Sequence, residues 1–218
     1  MTRALLVDLG NVLVGFDHGI TCRRIAEATG VGADRLRPVL FGDLETDFDR
    51  GLLAPDAFFR ACEERAGLPR LDDGVWVAAW RDIFVPFPEA LAALAAVPAG
   101  VRRVLVSNTN ALHWDGVLRL LDPSALVDEL VLSFRVGAVK PSREFWAAAL
   151  AAAGCEPREC LYADDRPELV ASAAELGVPG FVVEGPRSLR AGLAARGLGA
   201  GRVPPPGNSG AAAGVRIS

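Results

Sequence analysis

Lysine is nearly missing from this chain, in which Lys140 is the one lysine among 23 basic residues and arginine supplies the rest. Lysine carries a compact charge on a slim stem, so it reaches a phosphate or carboxylate in a crowded pocket where a planar, forked guanidinium does not fit. Either this lysine remains by chance in an arginine-rich composition, or its position between Val139 and Pro141 requires an ammonium group. The polar clusters described below favour the second interpretation.

Long apolar runs are absent too, although 51% of the residues are hydrophobic. No run reaches the roughly 20 residues that a membrane-spanning helix needs, and charged residues, proline or glycine interrupt the alanine-rich stretches. Strand-like residues begin almost at Met1, which leaves no room for a basic segment followed by an apolar leader. We therefore expect a cytoplasmic protein with no membrane partner.

Metal-ligand cysteine spacing and an excess of positive charge are missing as well. The four cysteines form no CxxC pair, so we interpret them as thiols in a reducing compartment. The net charge of −4 and the pI near 5.3 argue against nucleic acid as the main partner, because nucleic acid calls for a basic face. We expect a small-molecule partner and a monomer or homodimer.

Apolar runs of strand length alternate with stretches of helical period, which is typical of a parallel sheet covered by helices. Valine-rich and leucine-rich runs predict five buried strands at Arg3 to Val7, Arg103 to Val106, Glu129 to Leu132, Glu159 to Tyr162 and Gly180 to Val183. Helices are predicted between them at Pro88 to Val97, Ala111 to Leu121, Ser142 to Ala153 and Pro167 to Leu176. The predicted fold class is α/β, with a Rossmann-like parallel sheet.

The segment between the first predicted strand and the second is far longer than a crossover needs. Helical stretches near Ile20 to Thr29, Pro55 to Ala66 and Asp73 to Phe84 predict a helical cap inserted there. We expect residues 1–14 and 86–196 to form the α/β core and residues 15–85 to form the cap. Residues 197–218, which are mostly glycine, proline, alanine and serine, are predicted to be a disordered tail.

Polar clusters stand beside the predicted strands of the core. Asp8 follows the first strand, Ser107 follows the second, and Asp164 and Asp165 follow the fourth, while Lys140 opens the helix before that strand. In an open α/β sheet, ligands bind beyond the carboxyl ends of the strands, near a switch in strand order. We therefore expect carboxylates, a hydroxyl and an ammonium to converge at one site.

These clusters resemble the four motifs of the haloacid dehalogenase (HAD) superfamily, most of whose members are phosphotransferases. Leu5-Leu6-Val7-Asp8 is similar to the first motif, Ser107 to the second, Lys140 to the third and Asp164-Asp165 to the fourth. Within the superfamily, the segments from Asp8 to Leu13, Leu105 to Asn110 and Ala163 to Asp165 resemble sugar-phosphate phosphatases related to α-D-glucose-1-phosphate phosphatase. The resemblance covers roughly Leu5 to Val183 and implies a HAD-like core with a cap after the first strand.

The residues suit a metal-assisted phosphoryl transfer. An aspartate attacks phosphorus when a magnesium ion and a cation draw charge from the phosphate, and water then hydrolyses the aspartyl-phosphate. Asp8 is the candidate nucleophile, and Mg²⁺ is the expected cofactor. Because Mg²⁺ takes oxygen ligands and only one or two carboxylates, Asp8 and Asp165 are its candidate ligands. The resemblance adds the backbone carbonyl of Gly10, and Asp164 directly or through water.

The phosphate itself has three candidate partners. Ser107 and the backbone amide of Asn108 would hold its oxygens beside a helix start, and Lys140 would neutralise both the phosphate and Asp8. Plainer interpretations remain for the same positions. Asp8 could cap a turn, Ser107 or Asn108 could cap the following helix, and the two adjacent aspartates before Pro167 could open a helix.

Gly10 departs from many phosphatases that the chain resembles. They carry a second aspartate at this position, which acts as acid to the leaving group and base to the attacking water. Such acid–base help contributes about 10²- to 10⁴-fold to the rate, so a glycine slows turnover or favours substrates with easier leaving groups, such as an anomeric sugar phosphate. We hypothesise that Asp17, or a cap residue such as Asp47 or Asp49, partly replaces the missing acid.

Three classes of function follow from these residues. The first is a Mg²⁺-dependent phosphatase acting on a small phosphorylated metabolite, with a sugar phosphate as the expected substrate. The second is a hydrolase of the 2-haloacid dehalogenase type, which needs no metal; Asp164 and Asp165 argue against it, because carboxylates so close to Asp8 repel one another without a cation. The third is a non-catalytic binding protein with the same fold. Gly10 leaves this class possible, because the acid that many of these phosphatases use is absent at that position.

Overall fold

The computed structural model describes residues 1–199 of the chain. Its strands are β1 (Ala4–Val7), β2 (Val14–Phe16), β3 (Phe84–Pro86), β4 (Arg102–Ser107), β5 (Glu129–Leu132), β6 (Cys160–Asp164) and β7 (Gly180–Val182). Its helices are α1 (His18–Thr29), α2 (Ala33–Leu40), α3 (Asp43–Asp49), α4 (Pro55–Ala66), α5 (Asp73–Arg81), α6 (Pro88–Ala95), α7 (Ala111–Leu118), α8 (Ser133–Val136), α9 (Arg143–Ala153), α10 (Pro167–Glu175) and α11 (Ser188–Ala195).

The core is a five-stranded sheet in the order β5-β4-β1-β6-β7, and every neighbouring pair is parallel. Successive residues of a strand face opposite sides of the sheet. Leu5 and Val7 accordingly pack with residues of α6, α7 and α11, whereas Ala4 and Leu6 pack with residues of α9 and α10. Because both faces are covered, the central strands are apolar along their whole length.

The helical cap lies between β2 and β3, which pair as a two-stranded antiparallel ribbon. Helices α1 to α5 bury a third apolar cluster of their own, rich in aromatic residues such as Phe48, Phe58, Trp76 and Trp80. Leu112 of α7 is the core residue that joins this cluster, so the cap rests on the start of α7. The predicted fold class, a parallel α/β sheet with a helical cap inserted after the first strand, is confirmed.

The division into domains at residues 14, 85 and 196 stays a prediction. Of the predicted tail, Leu198 is buried against the sheet, and residues 200–218 lie outside the described part of the chain. No helix among residues 1–199 has the length and apolar character to cross a membrane.

Candidate active site

The floor of the candidate site lies at the carboxyl ends of β1 and β6. The chain order changes direction here, because β4 and β5 lie on one side of β1 while β6 and β7 lie on the other. Loops from the two halves of the sheet separate at such a switch point and leave a crevice. Asp8 directly follows β1, Asp164 ends β6 and Asp165 comes next, so the topology alone brings these three carboxylates together.

Lys140 enters this floor from the segment between α8 and α9. Its Nζ atom donates to Oδ1 of Asp8 at 2.6 Å and to Oδ2 of Asp164 at 2.8 Å. It also lies 3.1 Å from the carbonyl oxygen of Val106 and 3.1 Å from the hydroxyl oxygen of Tyr162. The Lys140 side chain is only 2% exposed, so this space holds a slim ammonium and leaves no room for the planar guanidinium of an arginine.

Three carboxylates lie around this one ammonium, which contacts two of them, Asp8 and Asp164. Burial raises the pKa of Asp8 to about 7, and Asp164 adds to the rise while Lys140 opposes it. Burial also raises the pKa of Asp165, against a hydrogen bond from Asn11. Burial disfavours the charged form of Lys140, yet the attraction of Asp8 and Asp164 outweighs it and leaves the pKa above its usual value. One ammonium cannot balance three acids, so the cluster is short of positive charge.

The acids have the spacing that a single cation requires. One carboxylate oxygen from each of Asp8, Asp164 and Asp165 lies within 4.8 Å of the others. Ligand oxygens around an octahedral Mg²⁺ stand about 3 to 4 Å apart, because each metal–oxygen bond is about 2.1 Å long. Gly10 lines the same small cavity as the three acids. These residues therefore fit a divalent cation, which would supply the missing positive charge.

Two residues that hydrogen-bond to this cluster, Tyr162 and Asn11, were not predicted from the sequence. Tyr162 donates a hydrogen bond to Oδ2 of Asp164, and burial raises the pKa of its hydroxyl, which therefore stays protonated. Asn11 donates from Nδ2 to Oδ2 of Asp165 at 3.0 Å and so orients that carboxylate. Tyr162 could have been found, because it is the one tyrosine and stands two residues before Asp164, on the same face of a strand.

Ser107 and Asn108 lie at the end of β4, beside Lys140. Ser107 is buried and lines the cavity over the acids. The Asn108 side chain accepts from the backbone N–H of Lys140 at 2.7 Å and donates to its carbonyl at 3.1 Å, so it fixes the backbone that presents the ammonium. Neither residue caps the next helix; Asn110 does, accepting from the backbone N–H of His113 at 2.9 Å. The capping interpretation of Ser107 and Asn108 is therefore wrong.

Two connected cavities open above this floor. The inner cavity, of about 140 Å³, is lined by Asp8, Asp164 and Asp165 together with Gly10, Asn11, Phe16, Ser107, Asn108, Lys140, Arg166 and Leu169. The outer cavity, of about 430 Å³, lies under the cap and shares several of those residues, among them Ser107 and Lys140. A phosphate-sized space thus leads into a larger space that the cap encloses.

Phe16 occupies the space beside Gly10, the position at which many phosphatases of the resembled superfamily carry a second aspartate. A Cβ atom added at Gly10 would lie 2.8 Å from Cε1 of Phe16, which is too close for two carbon atoms. The Phe16 ring lines both cavities and lies against the ring of His18 in a tilted arrangement, with 4.9 Å between the ring centroids. An aromatic ring therefore occupies the space in which the side chain of that acid would lie.

Asp17 does not join this site. Its carboxylate caps α1, accepting from the backbone N–H of Gly19 at 2.7 Å, and pairs with Arg23 at 3.1 Å. These bonds lower its pKa, the Gly19 bond most, and Asp17 lines neither cavity. A side chain that is ionised and turned to an arginine is poorly suited to act as an acid, so the structure contradicts the expected catalytic role of Asp17.

Of the two cap acids, Asp49 lines the outer cavity and Asp47 does not. Asp47 is half-buried and pairs with Arg50 at 3.8 Å. Asp49 accepts from Nδ2 of Asn110 at 2.8 Å, a bond that joins the cap to the core. Glu45, one turn earlier on α3, lines the same wall. Burial raises the pKa of Asp49 to about 7 and that of Glu45 to about 8, with Asp49 adding to the rise at Glu45.

A family model described as haloacid dehalogenase-like hydrolase matches residues 2–177. Among solved structures, the HAD family enzyme bt-2542 of Bacteroides thetaiotaomicron, in complex with magnesium and inorganic phosphate, superposes with a TM-score of 0.74 at 24% identity, covering 85% of this chain and 96% of that one. The L-2-haloacid dehalogenase of Xanthobacter autotrophicus superposes with a TM-score of 0.62 at 19% identity, covering 84% and 78%. At these identities the structural likeness concerns the fold.

Among the curated proteins that match the sequence are a drimenol cyclase and a flavin mononucleotide hydrolase. The drimenol cyclase drtB of Aspergillus calidoustus is 26% identical over 82% of this chain and 33% of its own length. The chloroplastic flavin mononucleotide hydrolase 1 of Arabidopsis thaliana is 33% identical over 41% of this chain and 37% of its own length. The chain therefore spans about a third of the length of these two relatives.

Proposed function

The chain belongs to the haloacid dehalogenase-like hydrolases, and we propose that it is a Mg²⁺-dependent phosphatase that acts through an aspartyl-phosphate on Asp8. We further propose a small phosphorylated metabolite as its substrate, with a sugar phosphate first among the candidates. One observation carries the proposal: Asp8, Asp164 and Asp165 lie within metal-ligand spacing, with the Lys140 ammonium 2.6 Å from Asp8. The bt-2542 complex, which holds magnesium and phosphate on the same fold, supports it.

In the first half of the reaction, a carboxylate oxygen of Asp8 attacks phosphorus. Lys140 holds Oδ1 of Asp8, and among residues 1–199 no hydrogen-bond donor contacts Oδ2, which is therefore the oxygen free to attack. A bond forms between this oxygen and phosphorus, the bond from phosphorus to the leaving-group oxygen breaks, and that oxygen takes up a proton from water. Ser107 and the Asn108 amide bind the phosphate oxygens, and Lys140 neutralises the charge that builds up on them.

In the second half, water attacks the phosphorus of the aspartyl-phosphate. The bond from Asp8 to phosphorus breaks, inorganic phosphate leaves, and the Asp8 carboxylate is restored to its contact with Lys140. Asp165, oriented by Asn11, would hold the cation together with Asp8, the Gly10 carbonyl and Asp164. When bound, Mg²⁺ draws charge from the phosphate and offsets the repulsion between that anion and the three acids.

The enclosing cap supports a small substrate. We assign residues 15–85 to the cap and propose that they cover the leaving group in the outer cavity of about 430 Å³. The cap would then exclude bulk water from the reacting phosphate. Because Phe16 occupies the space for a second aspartate, the reaction proceeds without an acid at position 10 and depends on a good leaving group or on an acid from the cap.

The 2-haloacid dehalogenase reaction is the alternative within the same fold. It uses an aspartate on carbon and needs no metal, so a cluster of three acids around one ammonium argues against it here. Loss of activity on addition of a chelator separates the two reactions. A non-catalytic protein is the other alternative, and hydrolysis of p-nitrophenyl phosphate, whose leaving group needs no acid, separates it from an enzyme.

The decisive experiment is a screen of phosphorylated metabolites with and without Mg²⁺, comparing the wild type with Asp8→Asn. The panel includes glucose 1-phosphate and, because of the Arabidopsis relative, flavin mononucleotide. We expect Mg²⁺-dependent release of phosphate by the wild type and a loss of at least about 10³-fold in Asp8→Asn. Equal activity of the two proteins would show that Asp8 is not the nucleophile.

A further inference from the structure

We propose that His113 and Asp49 form a hydrogen-bonding subsite in the outer cavity that holds a hydroxyl group of the leaving group and so selects neutral, hydroxylated substrates. The proposal rests on the phosphatase function proposed above. His113 belongs to α7 of the core and Asp49 to α3 of the cap, and both line the outer cavity, which also contains Lys140 and Ser107.

Asn110 fixes the orientation of this pair. Its Oδ1 atom accepts from the backbone N–H of His113 at 2.9 Å, so its other side-chain atom, Nδ2, must be a donor. Nδ2 lies 2.8 Å from Oδ1 of Asp49 and 3.1 Å from Nδ1 of His113. One amide group therefore donates to the cap carboxyl and to the imidazole at once, and it sets the hydrogen-bonding role of both.

The tautomer of His113 follows from this arrangement. Because Nδ1 accepts from Asn110, the proton of a neutral imidazole must lie on Nε2. Burial lowers the pKa of His113 to about 3, with His18 adding to the effect, so the ring is neutral at physiological pH. His113 is 7% exposed, and among residues 1–199 its Nε2 atom has no hydrogen-bond partner. A buried N–H donor without a partner is costly unless a ligand supplies the acceptor.

Asp49 supplies the complementary half of the subsite. Asn110 occupies its Oδ1 atom, and among the described residues no donor contacts its Oδ2 atom. A fixed N–H donor and a carboxyl oxygen in one wall match a hydroxyl group, which accepts one hydrogen bond and donates another. A sugar or polyol leaving group offers such hydroxyls, whereas an aryl group offers none.

The charge of the cap wall points to the same class. Glu45 and Asp49 lie one turn apart on α3. Beside them, the partly buried imidazole of His18 and the buried imidazole of His113 are both neutral, because burial lowers their pKa values to about 4 and about 3. Burial raises the pKa of both acids, so this wall disfavours negative charge, and a carboxylate on the leaving group would be disfavoured there for the same reason. A neutral, hydroxylated leaving group avoids that cost and uses the unpaired donor and acceptor.

Two variants test the subsite with two substrates. His113→Phe keeps an aromatic ring against Trp80, which stacks on His113 at 5.4 Å, but it removes the N–H donor. Asp49→Asn keeps the shape and the acceptor for Asn110. Asp47→Asn, on the same helix but outside the lining of the outer cavity, is the matched control. Steady-state rates with Mg²⁺ are compared for glucose 1-phosphate, which has hydroxyls, and p-nitrophenyl phosphate, which has none.

We expect kcat/KM for glucose 1-phosphate to fall about 10-fold or more in His113→Phe and Asp49→Asn, and to change less than about twofold for p-nitrophenyl phosphate. Asp47→Asn should match the wild type on both. The wild type should also prefer glucose 1-phosphate to phosphoglycolate, whose leaving group carries a carboxylate. Equal losses on both substrates, no loss on glucose 1-phosphate, or a preference for phosphoglycolate would overturn the subsite.

Failure of the phosphatase proposal looks different, because the wild type would then hydrolyse neither phosphate. Calorimetric binding of glucose 1-phosphate in the presence of Mg²⁺ then decides about the subsite. Affinity about 10-fold weaker in His113→Phe and Asp49→Asn than in Asp47→Asn would support it. Equal affinities in all three variants, or no binding to the wild type, would refute it. If His113→Phe does not fold, Asp49→Asn carries the comparison alone.

Discussion

Four acceptors surround the Nζ atom of Lys140, and two of them are carboxylates. A guanidinium would need to place its planar fork in the same buried space, displacing Tyr162 or the end of β4. We therefore expect Lys140→Arg to lower kcat about 100-fold or more, because the charge moves away from the phosphate site. Rates with p-nitrophenyl phosphate measure this. Arg102→Lys, at an exposed ion pair with Glu129, should change the rate little.

Tyr162 belongs to the same buried hydrogen-bond network. Its hydroxyl donates to Asp164 and lies 3.1 Å from the Lys140 ammonium, and its ring is buried against Trp146. Tyr162→Phe leaves the packing in place and removes one donor from a buried carboxylate. We expect it to lower the free energy of unfolding by about 1–3 kcal/mol, measured by urea denaturation without metal. A stability equal to that of the wild type would show that Asp164 does not depend on this bond.

At this scale the sequence predicted the acids and the lysine as neighbours, because each follows or precedes a strand whose end lies at one edge of the sheet. It did not predict His113 as a binding residue or Tyr162 as a partner of Asp164. The role of His113 depends on the Asn110 amide, which contacts both the cap and the core. The role of Tyr162 depends on the face of β6 on which its side chain lies. Neither feature can be read from the order of the residues. The expectation for Asp17 failed because a capping aspartate bonds to its own helix.

Helix α3 carries two acids, Glu45 and Asp49, whose pKa values are raised by burial. Burial raises the pKa of Glu45 from 4.5 to about 8, and Asp49 adds to the rise. Because the unfolded chain releases this proton near pH 4.5 and the folded protein holds it to about pH 8, the free energy of unfolding falls as pH rises between those values.

We therefore expect Glu45→Gln to be more stable than the wild type at pH 8, by about 2 kcal/mol, and nearly equal to it at pH 4.5. Thermal denaturation at the two pH values in the presence of a chelator measures this difference. Asp43→Asn, at the start of the same helix and on its exposed side, is the control. A stabilising effect of Glu45→Gln that did not depend on pH would contradict the account of α3.

The elements of the core were predictable and those of the cap were less so. The five strands of the sheet agree with the prediction to within one or two residues, because buried parallel strands are continuous apolar runs between glycine and proline signals. Strands β2 and β3 have three residues each, and α2 and α3 are short, with Pro38 inside α2. Such short elements are stabilised by packing between cap and core, which periodicity does not show.

The cap and the core of the whole molecule meet at a glycine. Gly116 of α7 packs against the carbonyl oxygen of Arg81, at the end of α5, and a Cβ atom there would collide with that backbone. Alanine is normally better than glycine in a helix, so a loss of stability at this position reports on the close approach.

We expect Gly116→Ala to lower the free energy of unfolding by about 1–3 kcal/mol and to shift the cap, raising KM for glucose 1-phosphate. Denaturation and steady-state kinetics measure the two effects. Gly100→Ala, where an added Cβ meets nothing within 4 Å, is the matched control and should be neutral. A Gly116→Ala protein as stable as the control would show that cap and core are not packed closely at α7.

The central claim for the whole molecule is that the acids from β1 and β6 hold one divalent cation beside the Lys140 ammonium. Titration calorimetry of Mg²⁺ into the metal-free protein tests it most directly, with Asp165→Asn as the comparison. We predict one Mg²⁺ bound per chain, with affinity about 10-fold or more weaker in Asp165→Asn, because a carboxylate ligand is lost. Absence of Mg²⁺ binding to the wild type, or equal binding to both proteins, would contradict the claim.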